Sequence, residues 1–239
     1  MKIQTLNIRH GSSDGKIDAL IDTFFTHDCD CIVLTEFRND SKGQKIVSKL
    51  KDKGWFYHHI NEKEKNQNGL LLISKYSFTV KDNRQQNLIA KHRWMEIYFN
   101  QQHLRLLAVH IPGYKDSGNK KNFWENIIEY AEKNINNRSL IIGDFNTGLA
   151  FDTQGTSFKF SKYMMLINEL GWIDTWRDTH GSKQEFTWYS PKGNGFRLDY
   201  AFVSRPLSKH LVDVFHSHQE RINKITDHSA LILELVKQK

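Results

Sequence analysis

The sequence predicts a mixed α/β fold in which two β-sheets pack as a sandwich with helices outside. Three observations carry this. Some apolar runs follow one another through short hairpin-like connections, as LRLLAVH follows WMEIYF across NQQH. Others are separated by helical stretches, so a purely parallel sheet is not expected. No internal repeat, low-complexity tract or Pro/Ser-rich linker divides the chain, which has only three prolines, so residues 1–239 are expected to form one domain.

Each element has its own signal. KIQTLNI alternates and predicts a strand with Asn7 near its end. Over residues 16–27, Ile17, Leu20, Ile21, Phe24 and Phe25 recur at helical spacing, with Asp14 placed to cap. CIVLTE is a compact strand ending at Glu36, with Cys29 and Cys31 expected as core thiols on one face. A polar, amphipathic helix follows over about 42–53, stopped by Gly54. GLLLIS (69–74), WMEIYF (94–99) and LRLLAVH (104–110) predict strands. NFWENIIEYAEKNI (122–135) predicts a helix with Phe123, Ile127, Ile128, Tyr130 and Ala131 on one face; SLIIGD is a strand, and 158–170 a helix ending at Gly171. EFTWYS, RLDYAFVS and SALILELV are late strands, expected to build a second sheet over the first.

Composition narrows the class without naming it. The net charge of +7 suits a polyanionic partner, nucleic acid or an anionic surface, and is equally compatible with neither. No apolar run approaches the roughly 18 residues of a membrane span. The opening MKIQTLNIRHG carries no apolar signal core, so a cytoplasmic location without membrane insertion is expected. Two cysteines make neither a disulfide framework nor a zinc site.

The chemistry sits where strands end. Asn7 follows KIQTL, Glu36 follows CIVLT, His110 follows LRLLAV, and Asp144 and Asn146 follow SLIIG. Asp199 lies inside the apolar RLDYAFV, and Asp227-His228 precedes SALILEL. A stiff strand end holds a polar group still yet open to a ligand. Each residue alone also has an ordinary reading as a turn, cap or solvated group. Asp199 is the exception, since a carboxylate within an apolar strand needs a partner. Brought together, Asn7, Glu36 and Asp227 are hard oxygen donors suited to Mg²⁺ or Mn²⁺. The histidines can bind a phosphate or exchange a proton near neutral pH. Metal-assisted phosphoester hydrolysis fits that inventory.

The blocks LNI, LTE, VHIP, GDFN, RLDYAFVS and TDHSAL, in this order along nearly the whole chain, resemble the endonuclease/exonuclease/phosphatase superfamily. The resemblance implies packed sheets flanked by helices, with the site at one end of the sandwich. It implies that Asn7 and Glu36 hold a divalent metal, Glu36 foremost, with Asp227 a metal-side or water-binding carboxylate. Asp144 then handles the proton of the attacking water or the leaving group, and Asn146 steadies the phosphate. Asp199 orients His228, which contacts the scissile phosphate. GWIDTWRDTHGSKQEFTWYSPKGNGFRLDYAFVS looks like exonuclease III and the abasic-site endonucleases, with Trp188 and Phe196 where those enzymes line a sugar pocket. Core packing is the competing reading of both. His110, in AVHIPGY, stands where that branch has tyrosine and resembles the deoxyribonuclease-I, toxin-nuclease and sphingomyelinase branches instead. That departure puts abasic-site specificity in question and adds a second imidazole able to protonate a leaving oxygen.

Three functions follow as expectations. The first is a Mg²⁺-dependent nuclease acting on DNA, with Arg93 a substrate-binding cation and Arg9, Lys115, Lys120 and Lys121 in loops that meet phosphates or simply face solvent. The second is a phosphodiesterase or phosphatase for a small or lipid phosphate. The third is a catalytically silent DNA-binding module. No obligate protein partner is implied.

Overall fold

A strand that is apolar at every position needs cover on both faces, and the fold supplies it. The computed structural model describes residues 1–61, 64, 67–81 and 87–236. The first half of the chain forms β1 (Lys2–Asn7), α1 (Ile17–Thr26), β2 (Cys31–Phe37), α2 (Ser41–Asp52), β3 (Tyr57–Asn61) and β4 (Gly69–Ser74). β5 (Thr79–Val80), β6 (Trp94–Phe99), β7 (Leu104–His110), α3 (Ser117–Asn134), β8 (Ser139–Asp144) and α4 (Ser161–Glu169) follow. The last part holds β9 (Ile173–Asp174), α5 (Thr175–His180), β10 (Trp188–Tyr189), β11 (Gly195–Phe196), β12 (Asp199–Val203), β13 (Leu211–Ser217) and β14 (Ala230–Leu235).

Among the described residues two six-stranded sheets result, ordered β13-β14-β1-β2-β4-β3 and β5-β6-β7-β8-β12-β9, with β10-β11 a separate ribbon. Successive residues of each strand enter different layers, as the two-residue period requires. Ile3, Val33, Leu70 and Leu72 of the first sheet meet Leu106, Leu140, Ile142 and Ala201 of the second in the core between them. Ile32, Leu34 and Leu71 point outward onto Leu20 and Phe24 of α1 and Ile46 of α2. Leu107, Ile141 and Phe202 point outward onto Phe123 and Ile127 of α3 and Met164 of α4.

The structure departs from the sequence reading in several places. The late strands do not form a sheet of their own: β12 pairs with β8 and β9 in one sheet, whereas β14 pairs with β1 and β13 in the other. Periodicity identifies a strand's faces and is silent on its partner. Cys31 enters the core between the sheets, but Cys29 precedes the strand and enters the layer beneath the helices, so the two do not share a face. Lys16, not Asp14, stands at the α1 cap, because Asp14 opens a short 3-10 turn ahead of the helix. The helix expected at 122 begins at Ser117, and EFTWYS contributes only Trp188 and Tyr189 to a strand.

Topology gathers the polar groups. β1 and β2 run parallel, as do β7 and β8, so Asn7, Glu36, His110 and Asp144 all lie at strand C-terminal ends. β14 is antiparallel to β1, and β12 to β8 with Asp199 opposite Asp144. Their starts, with Asp199 and the Asp227-His228 pair, therefore reach the same end of the sandwich.

Candidate active site

Asn7 joins the two sheets at this end. Its side-chain nitrogen donates to Asp144 Oδ2 at 2.9 Å and to Glu36 Oε1 at 3.2 Å, while its oxygen accepts from the Arg9 amide at 2.9 Å. Glu36 reaches this point through a local irregularity. The β2–β4 register slips between Thr35 and Phe37, and Glu36 takes a left-handed φ of 55°. A bulge of this kind re-aims one side chain out of the strand's alternation. The other carboxylate oxygen of Glu36 accepts from the His10 amide at 3.0 Å and from Asn68 Nδ2 at 3.1 Å.

Asp144 is set by the glycine before it. A Cβ on Gly143 would lie 1.9 Å from the Val109 carbonyl oxygen, and its φ is +145°, so only glycine lets β8 approach β7 here. Asp144 Oδ1 accepts from the Asn146 amide at 2.8 Å, and Asn146, itself at φ 45°, donates to the Ile111 carbonyl at 3.0 Å. Lys120 closes this turn from α3: it is 3% exposed and donates to the Asn146 carbonyl at 2.6 Å. It is therefore neither in a loop nor facing solvent. Burial lowers its pKa to about 8, against the pull of Asp144.

Asp199, expected to need a partner, has His228, whose Nδ1 donates to Asp199 Oδ2 at 2.9 Å with both side chains buried. Burial works against the imidazolium, but attraction and hydrogen bonding to Asp199, then attraction to Asp144 and Asp227, raise the His228 pKa to about 9. Burial raises Asp144 to about 6, with His228 opposing the shift. His110 lies behind these groups, its Nε2 3.8 Å from Asp144 and 3.9 Å from Glu36. Burial first, then Arg93 and His228, hold its pKa well below the usual histidine value. A lowered pKa favours the neutral imidazole, which keeps one N–H to donate and one lone pair to accept.

A cleft of about 500 Å³ opens over Asn7, Glu36, Asp144, Asn146 and His228. Asp227 is on its wall, accepting from Trp188 Nε1 at 3.3 Å and lying 3.7 Å from Arg9 Nε. Trp188 and Phe196 line the cleft with ring centroids 5.7 Å apart, backed by Phe158 at 5.6 Å from Phe196. Arg93 does not line it; it is half-buried in a 3-10 turn, close enough that Glu36 and Asp144 oppose the lowering of its pKa by burial. Lys121 is on α3, paired with Glu125 at 3.4 Å.

The donor set suits a hard cation. Two carboxylates, Glu36 and Asp144, converge on one amide at the cleft floor, and the thiols are elsewhere in the core. Asn7 would bind through its oxygen only after its amide turned over. Asp144, Asp199 and His228 also offer ligand atoms within 4.8 Å of one another. Of the His228 ring nitrogens, Nδ1 is committed to Asp199, which leaves Nε2 as the one facing a ligand.

The sequence reading has Arg9 as a loop cation near phosphates, but not the backbone strain around it, nor His10, Ser12 and Arg197. Arg9, His10 and Ser12 have φ of 46°, 57° and 64°, a strained run beside Asn7 of the kind found at functional sites. Arg197, fully buried, grips Asp152 at 2.8 Å and Asp174 at 2.6 Å, pinning the turn after Asp144 to the strand that carries Asp199. An arginine flanked by Phe196 and Leu198 was the available signal.

Known structures share this architecture. A 3′ phosphatase from Neisseria bound to a product DNA hairpin superposes with a TM-score of 0.82 at 19% identity, covering 99% of this chain and 100% of that one. An AP endonuclease from Archaeoglobus fulgidus gives 0.82 at 18% identity, with 99% and 100% covered. An AP endonuclease from Leishmania major gives 0.76 at 14%, with 99% and 88% covered. The family model described as "Endonuclease/Exonuclease/phosphatase family" matches residues 5–228. The chain therefore belongs to the endonuclease/exonuclease/phosphatase family, and it is a hydrolase.

Proposed function

We propose that this protein is a Mg²⁺-dependent phosphodiesterase acting on DNA, with Mn²⁺ able to replace Mg²⁺. The observation that carries the reading is one cleft lined by the Glu36–Asn7–Asp144 cluster, His228 with Asp199 bonded behind it, and the Trp188–Phe196 wall. Glu36 and Asn7, with Asp227 across the cleft, are the residues proposed to hold the metal. When bound, the cation supplies a Lewis acid that withdraws charge from the phosphate.

The remaining roles follow from position. His228, fixed by Asp199, presents its other ring nitrogen to a non-bridging phosphate oxygen. Asp144 takes a proton from the attacking water as its oxygen bonds to phosphorus, while the Asn146 amide holds the water or the phosphate. The bond from phosphorus to the ester oxygen breaks, and that oxygen leaves with a proton from solvent. Trp188 and Phe196 offer aromatic surface to the sugar or base beside the cut. His110, buried with its Nε2 3.8 Å from Asp144 and 3.9 Å from Glu36, is the second imidazole of the site and can pass a proton between these acids and the reacting oxygens.

The test is turnover of supercoiled plasmid, single-stranded DNA, RNA and an abasic duplex with Mg²⁺, with Mn²⁺ and with EDTA. DNA cleavage abolished by EDTA and restored by Mg²⁺ is expected. Undiminished cleavage in EDTA refutes the metal requirement. Turnover of a small phosphodiester alone, with every polynucleotide left intact, refutes the nuclease reading.

A further inference from the structure

A second groove of about 550 Å³ lies beside the catalytic cleft, within the range of roughly 300–1,000 Å³ typical of ligand sites. Its walls are the segment after β1 and the segment between β13 and β14. They bring Arg9, Lys16, Arg221 and Lys224 around Tyr189, with Asp227 the single carboxylate. Lys16 and Lys224 are exposed, and Lys16 reaches across to the Lys224 carbonyl, so the two walls are tied together. Arg221 lies 4.5 Å over the Tyr189 ring and donates to Ser229 Oγ at 3.2 Å. Tyr189, 40% exposed, is thus a braced aromatic surface with cations around it.

The groove continues from the catalytic cleft. Arg9, His10 and Asp227 line both spaces, and the Arg9–Asp227 ion pair is the ridge between them. β10 supplies both aromatics by its alternation, Trp188 to the catalytic cleft and Tyr189 to the groove. A ligand with one phosphate at His228 and further phosphates along its length meets positive charge as it crosses the ridge. A small phosphoester ends before reaching it.

We infer that this groove holds the sugar-phosphate backbone of the nucleic-acid strand flanking the scissile phosphate, with Lys16 and Lys224 facing its phosphates and Tyr189 its sugar or base. This rests on the nuclease reading and sharpens it, because it makes a polynucleotide of several residues the substrate.

Binding, measured without turnover, separates the two ideas. A fluorescein-labelled 12-nucleotide single strand is titrated by anisotropy in EDTA over a range of salt, with wild type and Lys16→Glu/Lys224→Glu. Each phosphate contact contributes a slope of about 0.7 in log K against log salt for a single strand, so the variant should bind about tenfold or more weakly with a slope smaller by roughly 1.4. Tyr189→Ala should weaken binding about fivefold and Tyr189→Phe should restore it. A folded Lys16→Glu/Lys224→Glu protein with wild-type affinity and salt slope overturns the groove. If wild type cleaves DNA while the variant still binds like wild type, the groove alone fails. If the variant loses binding but wild type cleaves no polynucleotide, the groove stands and the nuclease reading fails.

Discussion

At the scale of single residues, charge placement separates two histidines that look alike in the sequence. His228 shares a hydrogen bond with buried Asp199, whereas His110 has its nearest carboxylates, Asp144 and Glu36, only at 3.8 and 3.9 Å and feels the charges of Arg93 and His228. His228→Ala and Asp144→Ala should each lower kcat by a factor on the order of 10² to 10⁴ while leaving the circular dichroism spectrum near wild type. His228→Ala, which strips buried Asp199 of its partner, should also lower the urea midpoint. Near-normal turnover in both folded variants would remove them from the mechanism. Asp199→Asn should lower kcat more than it changes KM, since it disturbs the imidazole without touching the substrate. Most of this site was legible because strand-end polar residues are conspicuous after apolar runs. The pairing of Asp199 with His228 was legible only through the family resemblance, since 29 residues separate them. Arg9 was expected only as a loop cation, and the left-handed backbone at Arg9 and His10 stayed hidden, because it leaves no composition signal at an arginine or a histidine.

At the scale of elements, the strand ends work through irregularity. Glu36 faces the cleft because β2 carries a bulge, and Asp144 is placed where it is because β8 has a glycine pressed against the Val109 carbonyl. Gly143→Ala forces a positive φ and a backbone collision together, and should cost roughly 3 kcal/mol or more, read as a lower urea midpoint. A variant as stable as wild type would mean that β7 and β8 separate easily at this end. The long, doubly buried strands were readable from their apolar runs. β9 and β11, of two residues each, were not, because so short a segment has no period to detect. β13, LVDVFHS, was missed because its mixed pattern suits an edge strand with exposed residues.

At the scale of the whole molecule, buried ion pairs fasten elements distant in sequence. Arg197 binds Asp152 and Asp174, with Tyr200 also donating to Asp152 at 3.2 Å. Arg197→Ala would leave buried Asp174 without its cation and Asp152 with Arg177 alone, and should cost about 3–5 kcal/mol in chemical denaturation. Glu185 ties the segment after α5 to β13 through His216 at 3.0 Å, and that hydrogen bond, aided by Lys183 against the cost of burial, holds its pKa at about 2. Since the folded value lies below the usual 4.5, this stabilisation is complete above that value and is lost as pH falls toward 2. Glu185→Gln should therefore flatten the loss of stability between about pH 5 and pH 2, measured by thermal melts. An unchanged acid limb would show that other carboxylates govern it.

The pairing of β1 with β14 reaches into how the protein comes together in time. Thr226 Oγ1 donates to the Asn7 carbonyl at 2.7 Å across 219 residues, and the Met1 amine donates to the Leu235 carbonyl at 2.7 Å. Contacts of such sequence separation go with slow folding, because a very long loop must close before they reward it. Until β14 docks, His228 has no fixed place opposite Asn7, however complete the second sheet has become. Hydrolytic activity should therefore return, after dilution from urea, with the slowest phase seen in tryptophan fluorescence. Activity that recovers ahead of that phase would show that the two ends of the chain find each other early.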